Sequence, residues 1–377
     1  MHILIAPNAF KHAVDAATAA NAIRRGLQAS RLSCTSECFP IGDGGNGTGR
    51  LIVDRLGGEL VQVPVSDPLG RPITAAFGFV EGRKMAVIEL ADASGLHLLE
   101  SGALNPLRAQ SYGTGQLIRA ALDRGAADII VGMGGSATVD GGSGMLRALG
   151  ARFLDGAGNE ITDLPAGLEA LRTIDLSGLD GRLGAARLTV LCDVDNPLLG
   201  DMGAAHVFGP QKGASPVQVQ QLDSLLAHYA AVIRDTTGED VSARPAGGVA
   251  GGASAGMAGL LGAELVNGID YFLDLTGFDA ALSKSNLVIT GEGSIDSQTL
   301  QGKGPYGVAS RAKRIGLPVV GLAGKVPSRI HPELAAYFDT LLAIGSGPSP
   351  LDEALAATAD NLARTATQLG NLLAVSA

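Results

Sequence analysis

Short apolar runs that end in glycine-rich loops recur along this chain, and they constrain its fold more than any other feature. The 54 glycines lie in clusters at the ends of these runs rather than in one low-complexity tract. Backbone N–H groups left free in such loops can cradle anions, and this arrangement is typical of α/β proteins that bind phosphates. The sequence therefore predicts an α/β protein with several binding loops.

Both ends of the chain alternate strands and helices. Strands are predicted at 2–6, 34–41, 286–290, 318–323 and 339–344, and helices at 15–30, 306–315 and 351–369. Five strands with helices between them suffice for one parallel sheet that is covered on both faces. We therefore predict a Rossmann-like (flavodoxin-like) parallel-sheet domain, formed by residues 1–60 plus 284–377.

The middle of the chain has a different pattern. From residue 60, apolar and polar residues alternate between turns at 67–70 and 81–82, which is typical of an antiparallel meander. A strand at 128–132 and a helix opened by Ser215 and Pro216 follow. Residues 61–283 are therefore predicted to form an inserted mixed-sheet α/β domain, with the active site in the cleft between the two domains.

Charge and composition argue against several classes of protein. The net charge of −9 disfavours a nucleic-acid or anionic-membrane partner. Cys34, Cys38 and Cys192 form no CxxC pair, which disfavours a disulfide scaffold or a zinc site. The opening residues lack a basic segment, and no stretch reaches the ~18–20 apolar residues of a membrane span. We expect a cytoplasmic protein, monomeric or homodimeric, that acts on a small molecule.

The stretch "VGMGGSATVDGGSG" (131–144) invites comparison with a dinucleotide fingerprint, because Gly132-x-Gly134-x-x-Ala137 follows a predicted strand. In that fingerprint the helix begins inside the glycine motif, whereas residues 138–144 with three further glycines intervene here. We therefore disfavour an NAD-dependent dehydrogenase. We predict a non-helical loop over 132–142 whose backbone N–H groups hold an anion.

Four glycine-containing loops at predicted strand ends carry acids, lysines or hydroxyl groups. A single loop of this kind is most simply a turn with local hydrogen bonds. Together they supply what phosphoryl transfer needs, namely N–H groups and lysines for phosphate, carboxylates for Mg²⁺, and a carboxylate to accept a hydroxyl proton. The candidate residues are Lys11, Asp43, Gly44, Gly45, Gly134, Gly135, Ser136, Thr138, Asp193, Asp195, Lys212, Gly291, Glu292, Gly293, Asp296 and Lys303.

Seven segments stand in order over nearly the whole chain: "APNAFK", "PIGDGGNGTG", "YGTGQLIRAALDRG", "GMGGSATVDGGSGMLRALGARF", "CDVDNPLLG", "FGPQKGA" and "ITGEGSIDSQTLQGKGPYGVA". Together they closely resemble the bacterial type I glycerate kinase family. The resemblance implies two α/β domains and ATP-dependent phosphorylation of D-glycerate, with 2-phosphoglycerate as the usual product. The chain departs from the family pattern at Asn8, His12, Asn46 and Ser294, which leaves open a relative that binds another small hydroxy acid or its phosphate.

Within this interpretation the residues receive distinct roles. Asp193 is the predicted base, because it ends an apolar strand that can hold it rigidly. Lys11 and Lys303 are predicted to clamp the phosphates, and Asp195 and Asp296 to bind Mg²⁺. The remaining candidates are predicted to bind substrate or phosphate: Asp43, Gly44, Gly45, Gly134, Gly135, Ser136, Thr138, Lys212, Gly291, Glu292 and Gly293.

Overall fold

A computed structural model describes residues 1–300 and 302–375. The strands are β1 (His2–Pro7), β2 (Thr35–Cys38), β3 (Glu59–Ser66), β4 (Pro72–Val80), β5 (Met85–Glu89), β6 (Asp128–Gly132), β7 (Arg152–Leu154), β8 (Thr173–Asp175), β9 (Arg187–Cys192), β10 (Glu264–Asn267), β11 (Leu287–Ser294), β12 (Val319–Lys325) and β13 (Thr340–Ala343). The α-helices are α1 (Ala16–Gln28), α2 (Thr48–Leu56), α3 (Leu90–Ser94), α4 (Tyr112–Asp123), α5 (Ser143–Ala148), α6 (Ala204–Phe208), α7 (Pro216–Thr237), α8 (Val249–Leu261), α9 (Gly268–Leu275), α10 (Phe278–Leu282), α11 (Gly304–Arg314), α12 (Pro332–Ala335), α13 (Leu351–Ala356) and α14 (Thr358–Leu373).

The chain divides into two compact units. Unit 1 comprises Met1–Asp43 and Ile269–Ala377, and unit 2 comprises Gly44–Gly268. These bounds fall at 43/44 and 268/269, whereas the sequence predicts 60/61 and 283/284. Helix α2 belongs to unit 2 because it packs against β4 and β5. The stretch 269–283 belongs to unit 1 because Asp274 forms an ion pair with Arg311 of α11, with 2.6 Å between Oδ1 and Nη1.

Unit 1 is built on a five-stranded sheet in the order β13-β12-β11-β1-β2. Every neighbouring pair is parallel, and the register sets Ile3 opposite Leu287 and Val288 opposite Val319. Numbered within the unit, the order is the 2-1-3-4-5 of flavodoxin-like folds. The predicted fold class, including the pairing of the first strand with the C-terminal strands, is confirmed.

The helices of unit 1 cover this sheet. Helices α1 and α14 pack on each other and bury Ile3, Ile5 and Ile289 beneath them. Helix α1 begins where the sequence predicts, because the Asp15 carboxylate accepts a hydrogen bond from the Thr18 N–H at 2.6 Å. The single helix predicted over 351–369 is divided into α13 and α14 at Ala357, where the backbone leaves helical geometry.

Unit 2 contains a six-stranded mixed sheet in the order β10-β9-β6-β5-β4-β3. Strands β3, β4 and β5 are antiparallel, as the meander pattern predicts, whereas β5, β6, β9 and β10 are parallel. A separate pair, β7 and β8, is antiparallel. The four parallel strands bring their carboxyl ends to one edge of the sheet, where the glycine loops of this unit begin.

Two apolar clusters fill unit 2. One lies between the mixed sheet and helices α4 and α5, and the other surrounds α7 and the β7–β8 pair. Helix α7 begins with a capping box in which Ser215 and Gln218 exchange side-chain hydrogen bonds with each other's backbone, and Pro216 occupies its first position. None of the helices in the described part of the chain has the length and apolar character needed to cross a membrane.

Candidate active site

The strand order of unit 1 points to a ligand position. In a sheet of order 2-1-3-4-5, the connections leave in opposite directions on either side of the boundary between strands 1 and 3, and ligands bind beyond the carboxyl ends of those strands. These strands are β1 and β11, which end at Pro7 and Ser294. The residues that follow β1 and those at the end of β11 therefore mark the candidate site of this unit.

The Glu292 cluster occupies this position and consists of Asn8, Asp43, Glu292, Thr299 and Lys303. Asn8 donates a hydrogen bond from Nδ2 to Oδ2 of Asp43 at 2.8 Å. The buried Thr299 hydroxyl donates to Oε1 of Glu292 at 3.1 Å. Sequence reasoning placed Asp43 and Glu292 on separate loops, and the structure brings them into one electrostatic environment.

Glu292 is the titratable group of unit 1 that burial perturbs most visibly. Desolvation raises the pKa of its carboxyl from 4.5 to about 7, and nearby Asp43 also raises it. Lys303, the Thr299 hydroxyl and Lys11 act in the opposite direction, but they do not overcome burial. At neutral pH this carboxyl can therefore either hold or release a proton, which is a property of acid–base groups.

The two predicted clamping lysines lie close to this carboxyl. Lys11 is exposed in the tight turn after β1, and Lys303 is half-buried at the N-cap of α11. No side chain caps the N-terminus of α11, whose second residue, Pro305, has no N–H group, and the Tyr306 N–H donates to the Lys303 carbonyl at 3.1 Å. Helix N-termini attract anions because their N–H groups and dipole point outward. Two cations and a helix N-terminus thus surround one carboxyl in unit 1.

In unit 2 the predicted glycine loops pack against one another at the carboxyl edge of the sheet. Gly44 lies against the end of β9, where an added Cβ would be 3.2 Å from the Leu191 carbonyl oxygen. An added Cβ on Gly134 would be 2.7 Å from Gly45 Cα, and one on Gly135 would collide with the Asn46 side chain. Glycine is required here because the two backbones touch.

Glu89, which the sequence analysis did not single out, holds one of these loops. It is the last residue of β5, and its carboxylate accepts hydrogen bonds from the N–H groups of Gly47 at 2.9 Å and Gly49 at 2.6 Å. These bonds cap α2, whose N-cap residue is a glycine without a side chain. Asp92, three residues later, has its pKa raised to about 6 by burial and by Glu89.

The loop over residues 133–142 is not helical, as the sequence predicts, and α5 begins only at Ser143. Asp140 organises the far end of this loop from a fully buried position. Its carboxylate accepts hydrogen bonds from the Ser111 N–H and hydroxyl, both at 2.8 Å, and from the N–H groups of Gly142 and Gly144 at 3.1 and 3.2 Å. Asp140 is therefore a structural anchor of the loop.

Lys212 lies beneath the same loop. Its Nζ donates hydrogen bonds to Ser136 Oγ and to the Thr138 carbonyl oxygen, each at 2.7 Å. Only 3% of the residue is exposed. Burial lowers its pKa from 10.5 to about 7, and the nearby Asp140 charge opposes this shift. The structure thus joins Lys212 to Ser136 and Thr138, two other predicted residues that lie 76 and 74 positions earlier in the chain.

The remaining candidates lie at strand ends. Asp193 follows β9 directly and is half-buried, and Asp195 is exposed. Burial raises the pKa of the Cys192 thiol to about 12, and the charges of Asp193 and Asp195 contribute to this rise. Asp296 accepts the Gln298 N–H at 2.9 Å in a turn after β11. Neither Asp195 nor Asp296 belongs to a group of three or more His, Cys, Asp or Glu side chains that could hold a metal ion within the described residues.

Glycines 291 and 293 differ in their surroundings. An added Cβ on Gly291 would collide with the backbone of Leu322, whereas Gly293 has open space around it apart from the Lys11 backbone. Gly291 also accepts the Asn8 N–H at 2.8 Å. Gly291 therefore serves packing of the sheet, and Gly293 leaves room at the carboxyl end of β11.

Comparison with known proteins assigns this arrangement to a family. The model of the glycerate kinase family matches residues 3–374. The chain belongs to the glycerate kinase family. It is 43% identical over 369 residues to a glycerate kinase of Bacillus subtilis (strain 168), covering 98% of this chain and 97% of the relative.

Two further members of the glycerate kinase family support this assignment. The chain is 42% identical over 379 residues to the glycerate 2-kinase of Escherichia coli (strain K12), covering 100% of this chain and 98% of the relative. A crystal structure assigned as glycerate kinase 2 from Salmonella typhimurium LT2 matches with a TM-score of 0.86 at 42% identity, and covers 100% of this chain and 99% of that one. The protein is therefore an enzyme of the glycerate kinase family with the same fold.

Proposed function

We propose that the protein transfers the γ-phosphoryl group of ATP to D-glycerate and forms 2-phosphoglycerate. The observation that carries this proposal is the full-length similarity to the Escherichia coli glycerate 2-kinase, with 42% identity. ATP is the phosphoryl donor that kinases generally use, and its supply makes the cytoplasm the expected compartment. The sequence-based expectation that both units contribute to one site stays a prediction.

The nucleotide phosphates are proposed to bind to unit 1. Lys11 and Lys303 provide positive charge near the carboxyl end of β11, and the N-terminus of α11 adds the positive end of its helix dipole. The transition state of phosphoryl transfer is loose, so positioning and charge neutralisation account for most of the catalysis. Unit 1 offers these two contributions, and a flavodoxin-like sheet is a common support for phosphate ligands.

The acceptor is proposed to bind to unit 2, with Asp193 as the base. A secondary hydroxyl keeps its proton at neutral pH, so transfer to it gains from a nearby carboxylate. Asp193 follows the rigid, buried end of β9, on the same sheet edge as the loops that contain Gly45 and Gly134. Glu292 is a second candidate for proton transfer, because its pKa of about 7 suits this task.

Oxygen donors suited to Mg²⁺ are present. The ion usually takes one or two carboxylates and completes its coordination with water and substrate phosphates. The Asp43 carboxylate is close enough to raise the pKa of Glu292, and Asp195 and Asp296 stay predicted ligands. When bound with ATP, Mg²⁺ would neutralise phosphate charge. The residues present fit such an ion.

A coupled assay tests the proposal. Purified protein is mixed with ATP, MgCl₂ and D-glycerate, and ADP release is followed with and without the hydroxy acid. We expect release that depends on D-glycerate, with 2-phosphoglycerate identified by ³¹P NMR. A product phosphorylated at the 3-hydroxyl would contradict the regiochemistry alone, whereas turnover only with another hydroxy acid would contradict the proposed substrate.

A further inference from the structure

A buried cation beneath a glycine loop that is exposed only at its tip, Gly135, is an unusual feature of unit 2. Lys212 ends a short 3₁₀ turn, Pro210–Lys212, which Gly213 closes with a positive φ of 92°. This turn directs the side chain into the protein rather than into solvent, since 3% of the residue is exposed. Lys212 therefore cannot meet a ligand in the way that a surface lysine does.

Both side-chain hydrogen bonds of Lys212 are made to the loop over residues 133–142. Its two hydrogen bonds, to the Ser136 hydroxyl and to the Thr138 carbonyl, fix the middle of the loop from below. The backbone of the loop is also tied to its neighbours, because the Leu96 N–H donates to the Gly135 carbonyl at 2.9 Å. The loop is thus held in one shape by bonds that leave its outer surface open.

Stability alone does not account for this arrangement. Burying an ammonium and a carboxylate such as Asp140 costs several kcal/mol per ion, and apolar residues of similar volume often serve folding as well or better. Asp140 already has four hydrogen-bond donors of its own. Asp140 therefore does not need Lys212 as a hydrogen-bond donor.

The tip of the loop has the free donors that an anion needs. Gly135 is exposed and Gly134 half-buried, and no hydrogen bond of the described residues uses the N–H group of either. The buried Thr138 hydroxyl also has no partner among them. Open N–H groups above a buried cation form a positively polarised surface.

The number of charges indicates which anion fits. The loop offers two N–H groups above a single cation whose charge is partly offset by Asp140, which suits an anion of low charge such as a carboxylate. Unit 1 offers Lys11, Lys303 and a helix N-terminus, which match the several charges of a polyphosphate. Since Asp193 lies on the same sheet edge as the loop, the hydroxyl group of the same small acid would be near a base.

We propose that Lys212 is a positioning residue that prepares the tip of the glycine loop, at Gly134 and Gly135, for the carboxylate of the hydroxy-acid substrate. The proposal rests on the function proposed above. Lys212 acts through Ser136 and Thr138 and does not touch the ligand. Within the described residues, Asp140 is the charged group that acts on Lys212. Burial lowers the pKa of Lys212 to about 7, so an anion bound near it would favour its protonated form at neutral pH.

The test compares Lys212→Met with Ser136→Ala and with the control Lys284→Met, which removes an exposed lysine of unit 1. Lys212→Met should remain folded and raise KM for D-glycerate about tenfold or more, because it removes two charged hydrogen bonds that shape the loop. KM for ATP should change less than about twofold. Ser136→Ala, which keeps the cation, should raise KM for D-glycerate by a smaller factor, and Lys284→Met should match the wild type.

A neutral substrate analogue separates positioning from general damage. D-glyceramide lacks the carboxylate charge, so Lys212→Met should lose most of the preference for D-glycerate over D-glyceramide. An unchanged preference, or a rise confined to KM for ATP, would overturn the proposal. If Lys212→Met does not fold, an unchanged KM in Ser136→Ala has the same meaning.

Calorimetry with D-glycerate alone distinguishes failure of this inference from failure of the proposed reaction. If the wild type binds D-glycerate without turnover, the proposed reaction is wrong, and the dissociation constants of the same variants still decide the role of Lys212. If the wild type binds no D-glycerate, the loop does not hold this carboxylate.

Discussion

At the scale of single residues, the surroundings decide what each carboxyl group can do. Asp140 is fully buried and satisfied by four donors, so it anchors a loop. Glu292 is desolvated with one hydroxyl partner, so its pKa rises to about 7. Sequence spacing placed both in glycine loops but could not distinguish them, because burial and donors come from residues far away in the chain.

The assignment of Asp193 as the base leads to a direct prediction. Asp193→Asn should lower kcat by about 10²–10⁴-fold, the usual contribution of a positioned base, because the amide cannot accept the proton. KM for ATP should change little and thermal stability should be preserved, since Asp193 is half-buried at a strand end. Steady-state kinetics and thermal unfolding provide the measurements.

Asp201→Asn, on an exposed turn nearby, is the control. Near-normal kcat in Asp193→Asn, or complete loss in Asp195→Asn alone, would show that the base is misassigned.

The raised pKa of Glu292 predicts a pH dependence of stability. Between about pH 4.5 and 7 the folded protein holds a proton on Glu292 that the unfolded chain has released. This contribution to stability is therefore fully present below pH 4.5 and is lost as the pH rises through about 7. Glu292→Gln removes it. We expect the wild type to lose roughly 1–3 kcal/mol of unfolding free energy relative to this variant over the range, since one pKa unit corresponds to about 1.4 kcal/mol.

Urea unfolding at several pH values between 5 and 8 measures this difference. The charged groups that influence Glu292 are Lys303, Asp43 and Lys11, and all of them are retained in the variant. Glu239→Gln, on an exposed segment, provides the matched control and should follow the wild type. Parallel stability curves for the wild type and Glu292→Gln would mean that Glu292 titrates normally.

At the scale of secondary-structure elements, local patterns predicted where strands and helices lie. The caps at Asp15 and Ser215 are local features, and both are confirmed. The way in which Glu89 holds the loop around Gly47 was not predictable, because the two residues are 42 positions apart. The start of α8 was also missed, since its backbone violates the preferences on which sequence reasoning depends.

The start of α8 contains three consecutive residues with left-handed backbone, Ala250, Gly251 and Gly252. An added Cβ on Gly251 would collide with the Thr138 carbonyl oxygen, which is also the acceptor for Lys212. Gly251→Ala should therefore destabilise the protein by about 2 kcal/mol or more and raise KM for D-glycerate, since strain and collision add.

The neighbouring residue provides a matched comparison. Ala250 has a φ of 53°, which costs an alanine roughly 1–2 kcal/mol, so Ala250→Gly should be neutral or stabilising. Chemical denaturation of both variants measures the contrast. Stabilisation by Gly251→Ala together with destabilisation by Ala250→Gly would show that helix propensity, rather than backbone conformation and collision, controls stability here.

At the scale of the whole molecule, the chain builds two sheets with different roles. The fully parallel sheet of unit 1 ends in lysines and an uncapped helix, and the mixed sheet of unit 2 ends in glycine loops over a buried lysine. Composition and alternation of elements predicted both sheets. They did not predict the exact division of the chain, because α2 and the stretch 269–283 are assigned by packing and by ion pairs with distant residues.

The separation of phosphate and carboxylate binding predicts where each ligand protects the backbone from hydrogen exchange. ADP should slow exchange in peptides covering residues 8–12 and 302–308 of unit 1, because the phosphates would contact the Lys11 turn and the start of α11. D-glycerate should slow exchange in peptides covering 133–142 of unit 2, because the carboxylate would engage the N–H groups of Gly134 and Gly135, and in 44–49, which packs against these two glycines. Mass spectrometry of exchanged peptides measures both effects, and glycerol, which lacks the carboxylate, is the control and should protect neither region. Bound ligands raise the free energy of local opening, so protection grows with occupancy and can be followed by titration. ADP protection restricted to the unit 2 loops, or D-glycerate protection restricted to the α11 region, would reverse the proposed placement of the two substrates.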